Sequence, residues 1–157
     1  MNKTITIICG SGTGPTKLSA FDKALWNAGI ADYNLIKLSS VIPKNTKISV
    51  KKLNWNGKEI GDKLYLVLSE AIEDEPGKEA WAGLGWIQAK NGSGILMEHT
   101  GNTKKEVIEQ IKESLTAATK YRPRKYGKIH YKVQGIKCKN KPACSIVCAV
   151  FKSENWD

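Results

Sequence analysis

Few residues here have both the type and the spacing to do chemistry, and several candidates fail on spacing. Gly10-Ser-Gly-Thr-Gly14 follows an apolar run and precedes a helical pattern, the place where bare backbone amides can cradle a phosphate. It lacks the Gly-x-Gly-x-x-Gly spacing and the Gly-Lys-Thr ending, and Ser39-Ser40 rather than an acidic residue ends the next strand pattern, so a structural turn is the better reading. Cys138, Cys144 and Cys148 crowd one late segment without the Cys-x-x-Cys spacing of zinc sites, and no metal is expected. Cys9, Cys144 and Cys148 read as small apolar fillers of strands. His99 and His130 have no nucleophile partner apparent in the sequence, and the Gly-x-Ser-x-Gly elbow of hydrolases is absent. What remains is the pair Ser39-Ser40, in isolation an ordinary polar strand end.

The elements that must position these residues follow from periodicity. Thr4 to Cys9 is β-branched and apolar, predicting a strand that the glycine run breaks. Leu18, Phe21, Ala24, Leu25 and Ala28 recur at helical spacing, predicting a helix over 18–28 closed by Gly29. Tyr33 to Leu38 predicts a second strand ending at Ser39-Ser40, with Pro43 and Asn45 in the loop beyond. Lys47 to Leu53 and Lys63 to Ser69 predict two more, with Asn54–Gly57 as a hairpin turn and an acidic turn at Glu73–Gly77. Trp81 to Lys90 and Gly94 to His99 predict a hairpin around Asn91-Gly92. Thr103, with Glu106 as capping-box partner, opens the longest helix, about 104–121, with Val107, Ile111, Leu115 and Ala118 on one face. Lys128 to Lys137 and Ser145 to Phe151 complete an α+β pattern in which helices cover sheets.

A chain of 157 residues with 41% hydrophobic content suits one domain over 1–157. No run approaches the roughly 18 apolar residues of a membrane span, and the first segment is too short for a signal peptide, so a soluble cytoplasmic protein is expected. A net charge of +10 raises nucleic-acid binding. The lysines are scattered, however, and the densest cluster, Lys120 to Tyr126, follows a helix whose C-terminal dipole it complements, so nucleic acid is not the expected partner.

Taken together, Pro15 to Gly29 and Asn34 to Pro43 resemble pyruvoyl-dependent arginine decarboxylases. Precursors of that family carry an Ala-Phe-Asp helix (here Ala20-Phe21-Asp22), an Asn-Ala-Gly helix end (Asn27-Ala28-Gly29) and an Asn-Leu-Ile strand (Asn34-Leu35-Ile36). A Ser-Ser cleavage pair follows before an apolar pair and proline (Ser39-Ser40-Val41-Ile42-Pro43). Gly94-Ile-Leu-Met-Glu-His-Thr-Gly101, leading into a lysine-rich helix, is similar to the family's strand bearing a catalytic glutamate. The likeness is dense over 8–45, clear over 94–120, and thin over 51–90 and in the C-terminal strands.

The resemblance implies an αββα sandwich, with two main helices on antiparallel or mixed sheets. It implies self-cleavage into a β chain, 1–39, and an α chain, 40–157. The Ser40 hydroxyl would attack the Ser39 carbonyl, and β-elimination would leave an N-terminal pyruvoyl cofactor in place of pyridoxal phosphate (PLP), with no metal. Asn34 corresponds to a processing residue stabilising charge at the Ser39 carbonyl, and Glu98 to the catalytic acid that returns a proton, its pKa raised by burial. Asp22 corresponds to the residue that contacts the substrate guanidinium, and Leu18 to one lining its aliphatic stem. The residues alone leave alternatives open: Ser19 to Asp22 is also a capping-box pattern, and Leu18 also suits ordinary core packing. The implied reaction converts L-arginine to agmatine and carbon dioxide, with polyamine biosynthesis as its setting. The implied assembly is a trimer of cleaved protomers, or a hexamer, with sites shared between neighbours. The rivals are the same chemistry on another amino acid and a nonenzymatic basic binding protein of the same fold.

Overall fold

In the computed structural model, which describes residues 2–157, the glycine run expected to break the first strand instead continues it: β1 covers Lys3–Thr13. Helix α1 (Lys17–Ala28) lies across this stretch, and its small residues Ala20, Ala24 and Ala28 face it. A Cβ at Gly10 would sit 2.6 Å from the Ala24 carbonyl oxygen, and one at Gly12 would sit 2.7 Å from Lys23 Cβ. Alternate glycines are therefore the price of bringing a helix backbone onto a strand.

Thr16 caps α1, its Oγ1 accepting the Ser19 N–H while Ser19 Oγ accepts the Thr16 N–H. The capping box is thus Thr16/Ser19, which corrects the Ser19/Asp22 pattern. Gly29, at φ 86°, ends the helix in the left-handed region where glycine is at home.

The remaining strands are β2 (Asn34–Lys37), β3 (Val41–Ile42), β4 (Thr46–Val50), β5 (Lys63–Glu73), β6 (Glu79–Gln88), β7 (Gly94–Gly101), β8 (His130–Lys137) and β9 (Ala143–Glu154). They form a five-stranded mixed sheet, β2-β5-β9-β1-β4, and a four-stranded antiparallel sheet, β3-β7-β6-β8. Helix α2 (Lys104–Lys120) covers the second sheet, and Thr103 caps it by accepting the Glu106 N–H. The Glu106 carboxylate accepts the Asn102 N–H, one residue before the N–H that a capping box would use.

Three apolar layers hold this together. Ile5, Ile7, Val67, Leu84, Leu96 and Val147 fill the space between the sheets. Leu25 of α1 packs with Ile30, Leu66 and Ile146, and Val107, Ile111 and Leu115 of α2 pack with Ile87 and Ile95 of the second sheet. The order is helix, sheet, sheet, helix, the expected α+β sandwich.

Asn91-Gly92 turns the β6–β7 hairpin as expected, with Gly92 at φ 86° and Gln88 opposite Gly94. The hairpin expected at Asn54–Gly57 does not form, because β4 pairs in parallel with β1, and β9 and β1 separate it from β5. Residues 51–62 instead form a connection between non-neighbouring strands.

Candidate active site

Ser39 and Ser40 occupy the corner where the chain leaves the first sheet and joins the second. Upstream, the Leu38 N–H donates to the Leu66 carbonyl of β5 at 2.8 Å; downstream, the Leu96 N–H of β7 donates to the Ser40 carbonyl at 2.9 Å. Between these anchors the Val41 N–H folds back onto the Ser39 carbonyl, also at 2.9 Å. Pro43 follows β3 directly, and its missing N–H suits the end of a two-residue edge strand.

The side chains converge as well. Ser40 Oγ lies 2.9 Å from Glu98 Oε1 and 2.7 Å from Oε2, donating its hydroxyl hydrogen to the carboxylate. Glu98 stands two residues beyond Leu96 and shares its face, so the strand that grips the Ser40 carbonyl also aims a carboxylate at the Ser40 hydroxyl. Ser40 is half-buried and Glu98 exposed, so the burial expected around Glu98 is not found within the chain. His99 faces the other way, its Nε2 2.6 Å from Ser114 Oγ of α2. That partner for His99 did not show in the sequence because it depends on how α2 folds back over β7.

The substrate-contact candidates lie elsewhere. Leu18 is 75% exposed on α1, which excludes the core-packing reading for the protomer. Asp22, one turn on, is exposed, with no hydrogen bond or ion pair from its side chain among the described residues. Trp26, a further turn along and 53% exposed, completes a stripe of Leu18, Asp22 and Trp26 on the outer face. The four-residue spacing was the signal for Trp26, which sequence reasoning missed.

Asn34 opens β2 and is also exposed. Its Nδ2 donates to the Gly61 carbonyl at 2.7 Å, an oxygen that Trp156 Nε1 reaches as well, at 2.9 Å. Tyr33 beside it donates to Glu59, which also accepts from Ser153 Oγ at 2.7 Å; burial and the Glu59 bond raise the Tyr33 hydroxyl above its ordinary pKa. Five residues of extended chain separate Asn34 from Ser39, roughly 16 Å, so Asn34 does not reach the Ser39 carbonyl of its own protomer.

The other candidates are settled by their surroundings. Backbone groups of Gly10 to Thr13 belong to the β1–β9 ladder, and the α1 N-terminus is capped by its own side chains, which removes the phosphate-loop reading. Among the described residues no cluster of histidine, cysteine and carboxylate side chains has metal-binding geometry. Cys144 and Cys148 are fully buried, and burial pushes the Cys144 thiol up to about 12. Arg122, in the basic segment after α2, donates to the Ala118 carbonyl at 3.0 Å and so caps the helix C-terminus. Among the described residues no helix is long and apolar enough to cross a membrane.

The site pairs a serine hydroxyl with a carboxylate, beside the carbonyl that precedes the serine, in the class of two-sheet α+β sandwiches. The comparisons narrow that class. A family model described as pyruvoyl-dependent arginine decarboxylase matches residues 4–155, and the chain belongs to that family. It is 34% identical over 155 residues to a protein named pyruvoyl-dependent arginine decarboxylase from Thermococcus kodakarensis, covering 95% of this chain and 94% of that one. A protein of the same name from Pyrococcus furiosus is 34% identical over 153 residues, with the same coverage. One from Methanocaldococcus jannaschii is 35% identical over 114 residues, covering 70% of this chain and 66% of that one.

Proposed function

We propose that this chain cuts itself between Ser39 and Ser40, carries the resulting pyruvoyl group at position 40, and decarboxylates L-arginine to agmatine and carbon dioxide. The observation that carries the reading is the pair of contacts from Ser40 Oγ to Glu98, at 2.9 and 2.7 Å. Glu98 can take the hydroxyl proton as Oγ bonds to the Ser39 carbonyl carbon. The peptide C–N bond then breaks and leaves an ester between the two residues. Loss of the residue-40 Cα proton expels the Ser39 carboxylate, and hydrolysis of the remaining enamine releases ammonia.

The site's residues fit a pyruvoyl group. Position 40 supplies its atoms, and the Leu96 N–H already holds the carbonyl that survives cleavage. Once formed, the group serves as the electron sink for loss of carbon dioxide. Glu98 remains within reach of position 40 and returns a proton to the substrate carbon.

Recognition of arginine draws on a neighbouring protomer in a trimer, the whole being cytoplasmic. Asp22 is an unpaired carboxylate suited to a guanidinium fork, Leu18 beside it suits an aliphatic stem, and nothing in the same chain covers either. The processing role of Asn34 belongs to this shared group, since its own Ser39 is out of reach.

The test is release of labelled carbon dioxide from L-[1-14C]arginine by purified protein, with agmatine measured beside it. Equal amounts of both products are expected. A chain cut at Ser39-Ser40 that releases nothing from arginine would assign the chemistry to another amino acid.

A further inference from the structure

The carbonyl that self-cleavage must attack is already engaged. The Val41 N–H donates to the Ser39 oxygen at 2.9 Å, a contact spanning three residues with Ser40 at its centre. In the β3–β7 ladder Val41 stands opposite Ile95, between Ser40, whose carbonyl accepts the Leu96 N–H, and Ile42. Alternation along an antiparallel strand therefore points the Val41 N–H away from β7, at an edge with no further strand. The Val41 side chain is 58% exposed and contributes nothing to the core that would explain the turn. Anchors at Leu38 in one sheet and Ser40 in the other hold the segment in this bend.

We infer that the Val41 backbone N–H is the donor that stabilises the Ser39 oxyanion during self-cleavage. The inference rests on the self-cleavage reading above. As Ser40 Oγ forms its bond to the Ser39 carbonyl carbon, the carbonyl electron pair moves onto the Ser39 oxygen, where Val41 N–H already points. The hydroxyl proton goes to Glu98. When the tetrahedral species collapses, the bond from the Ser39 carbon to the Ser40 nitrogen breaks and that nitrogen takes the proton back as an amine, so no outside reactant is needed. Asn34 of the same chain is bonded to Gly61 at the far end of β2, so within one chain the donor at the Ser39 oxygen is the Val41 backbone. Only the N–H of Val41 matters, and its side chain is free to vary.

The test replaces the residue-41 N–H by oxygen, introducing 2-hydroxyisovalerate at that position in the full chain by nonsense suppression. Hydroxylamine traps the Ser39 ester, so ester formation is read by intact mass apart from the later elimination. The ester should form at least about 100-fold more slowly than in the unmodified protein. Equal rates for the hydroxy-acid variant and the unmodified chain would overturn the inference while leaving self-cleavage intact; an unmodified chain that never cuts at Ser39-Ser40 would overturn both. Should the hydroxy-acid variant fold poorly, hydrogen exchange in the uncut Ser40→Ala precursor gives a second reading. The Val41 amide should be protected, and exchange at the free-peptide rate would sink the assignment.

Discussion

Ser40 and Asp22 stand in opposite circumstances within one protomer. Ser40 is gripped on three sides, through its hydroxyl by Glu98, its carbonyl by Leu96 and the preceding carbonyl by Val41. Asp22 is exposed on α1, between Leu18 and Trp26, and its side chain touches no partner among the described residues. The difference separates two tasks. On the proposed reading, the nucleophile and its proton acceptor for cutting the backbone are brought together by the fold of one chain, whereas the groups for recognising a free amino acid are not.

The sharpest way to break this division is Glu98→Gln, which keeps the shape but cannot accept or return a proton. Both cleavage and decarboxylation should slow about a hundredfold to ten-thousandfold. Time courses of chain conversion and of carbon dioxide release read the two separately. Near-native rates in both would remove Glu98 from the chemistry.

Asp22→Asn sharpens the other side. Charge-assisted hydrogen bonds contribute about 1.5–3 kcal/mol, so KM for arginine should rise roughly tenfold to a hundredfold while the cleavage rate stays unchanged. An unchanged KM would leave Asp22 as a plain surface residue, and impaired cleavage would tie α1 to the processing step.

Gly12→Ala tests whether β1 and α1 form a scaffold apart from both tasks. The new Cβ would lie 2.7 Å from Lys23 Cβ and 2.8 Å from the Ala24 nitrogen, so the helix must shift, at about 1–3 kcal/mol. Melting should fall accordingly, whereas Gly127→Ala, where the nearest atom is 3.5 Å away, should melt like the parent protein. Equal melting of the two variants would show that α1 yields freely.

The smallest expected effect lies at the end of β9, the central strand of the first sheet. Hydrogen bonds from Lys63, then Lys152 and Tyr65, lower Glu154 to about 2, from an ordinary value of 4.5. A depressed carboxylate pKa stabilises the fold above the ordinary value, and that contribution is lost as pH falls from about 4.5 to about 2. The melting temperature should drop across that window, and Glu154→Gln should flatten the drop slightly, since the pair is solvent-screened. Parallel curves for the two proteins would contradict the assignment.

What could be read from the sequence divides along physical lines. Helical spacing in α1 and α2, the Thr103 cap and the Asn91-Gly92 turn are local patterns that survived folding, whereas the Ser19/Asp22 capping box gave way to Thr16/Ser19. Gly10 to Gly14 read as a break because glycine is free in isolation, yet the approach of α1 requires it inside a strand. The supposed Asn54–Gly57 hairpin failed because the partner of β4 is β1, more than 40 residues earlier. Ser40 and Glu98 meet across 58 residues, which no periodicity reports, and family resemblance rather than spacing pointed to the pair. Asn34 shows the limit of that route, because a matched residue type carries no information about what its side chain meets, here the Gly61 carbonyl.

Self-cleavage at the Ser39–Ser40 corner is the central claim, and the intact mass of the purified protein tests it most directly. The account predicts two chains, residues 1–39 and 40–157, the larger blocked at its N-terminus by pyruvoyl, and a single uncut chain for Ser40→Ala. A single uncut parent chain, or two chains from Ser40→Ala, would contradict it.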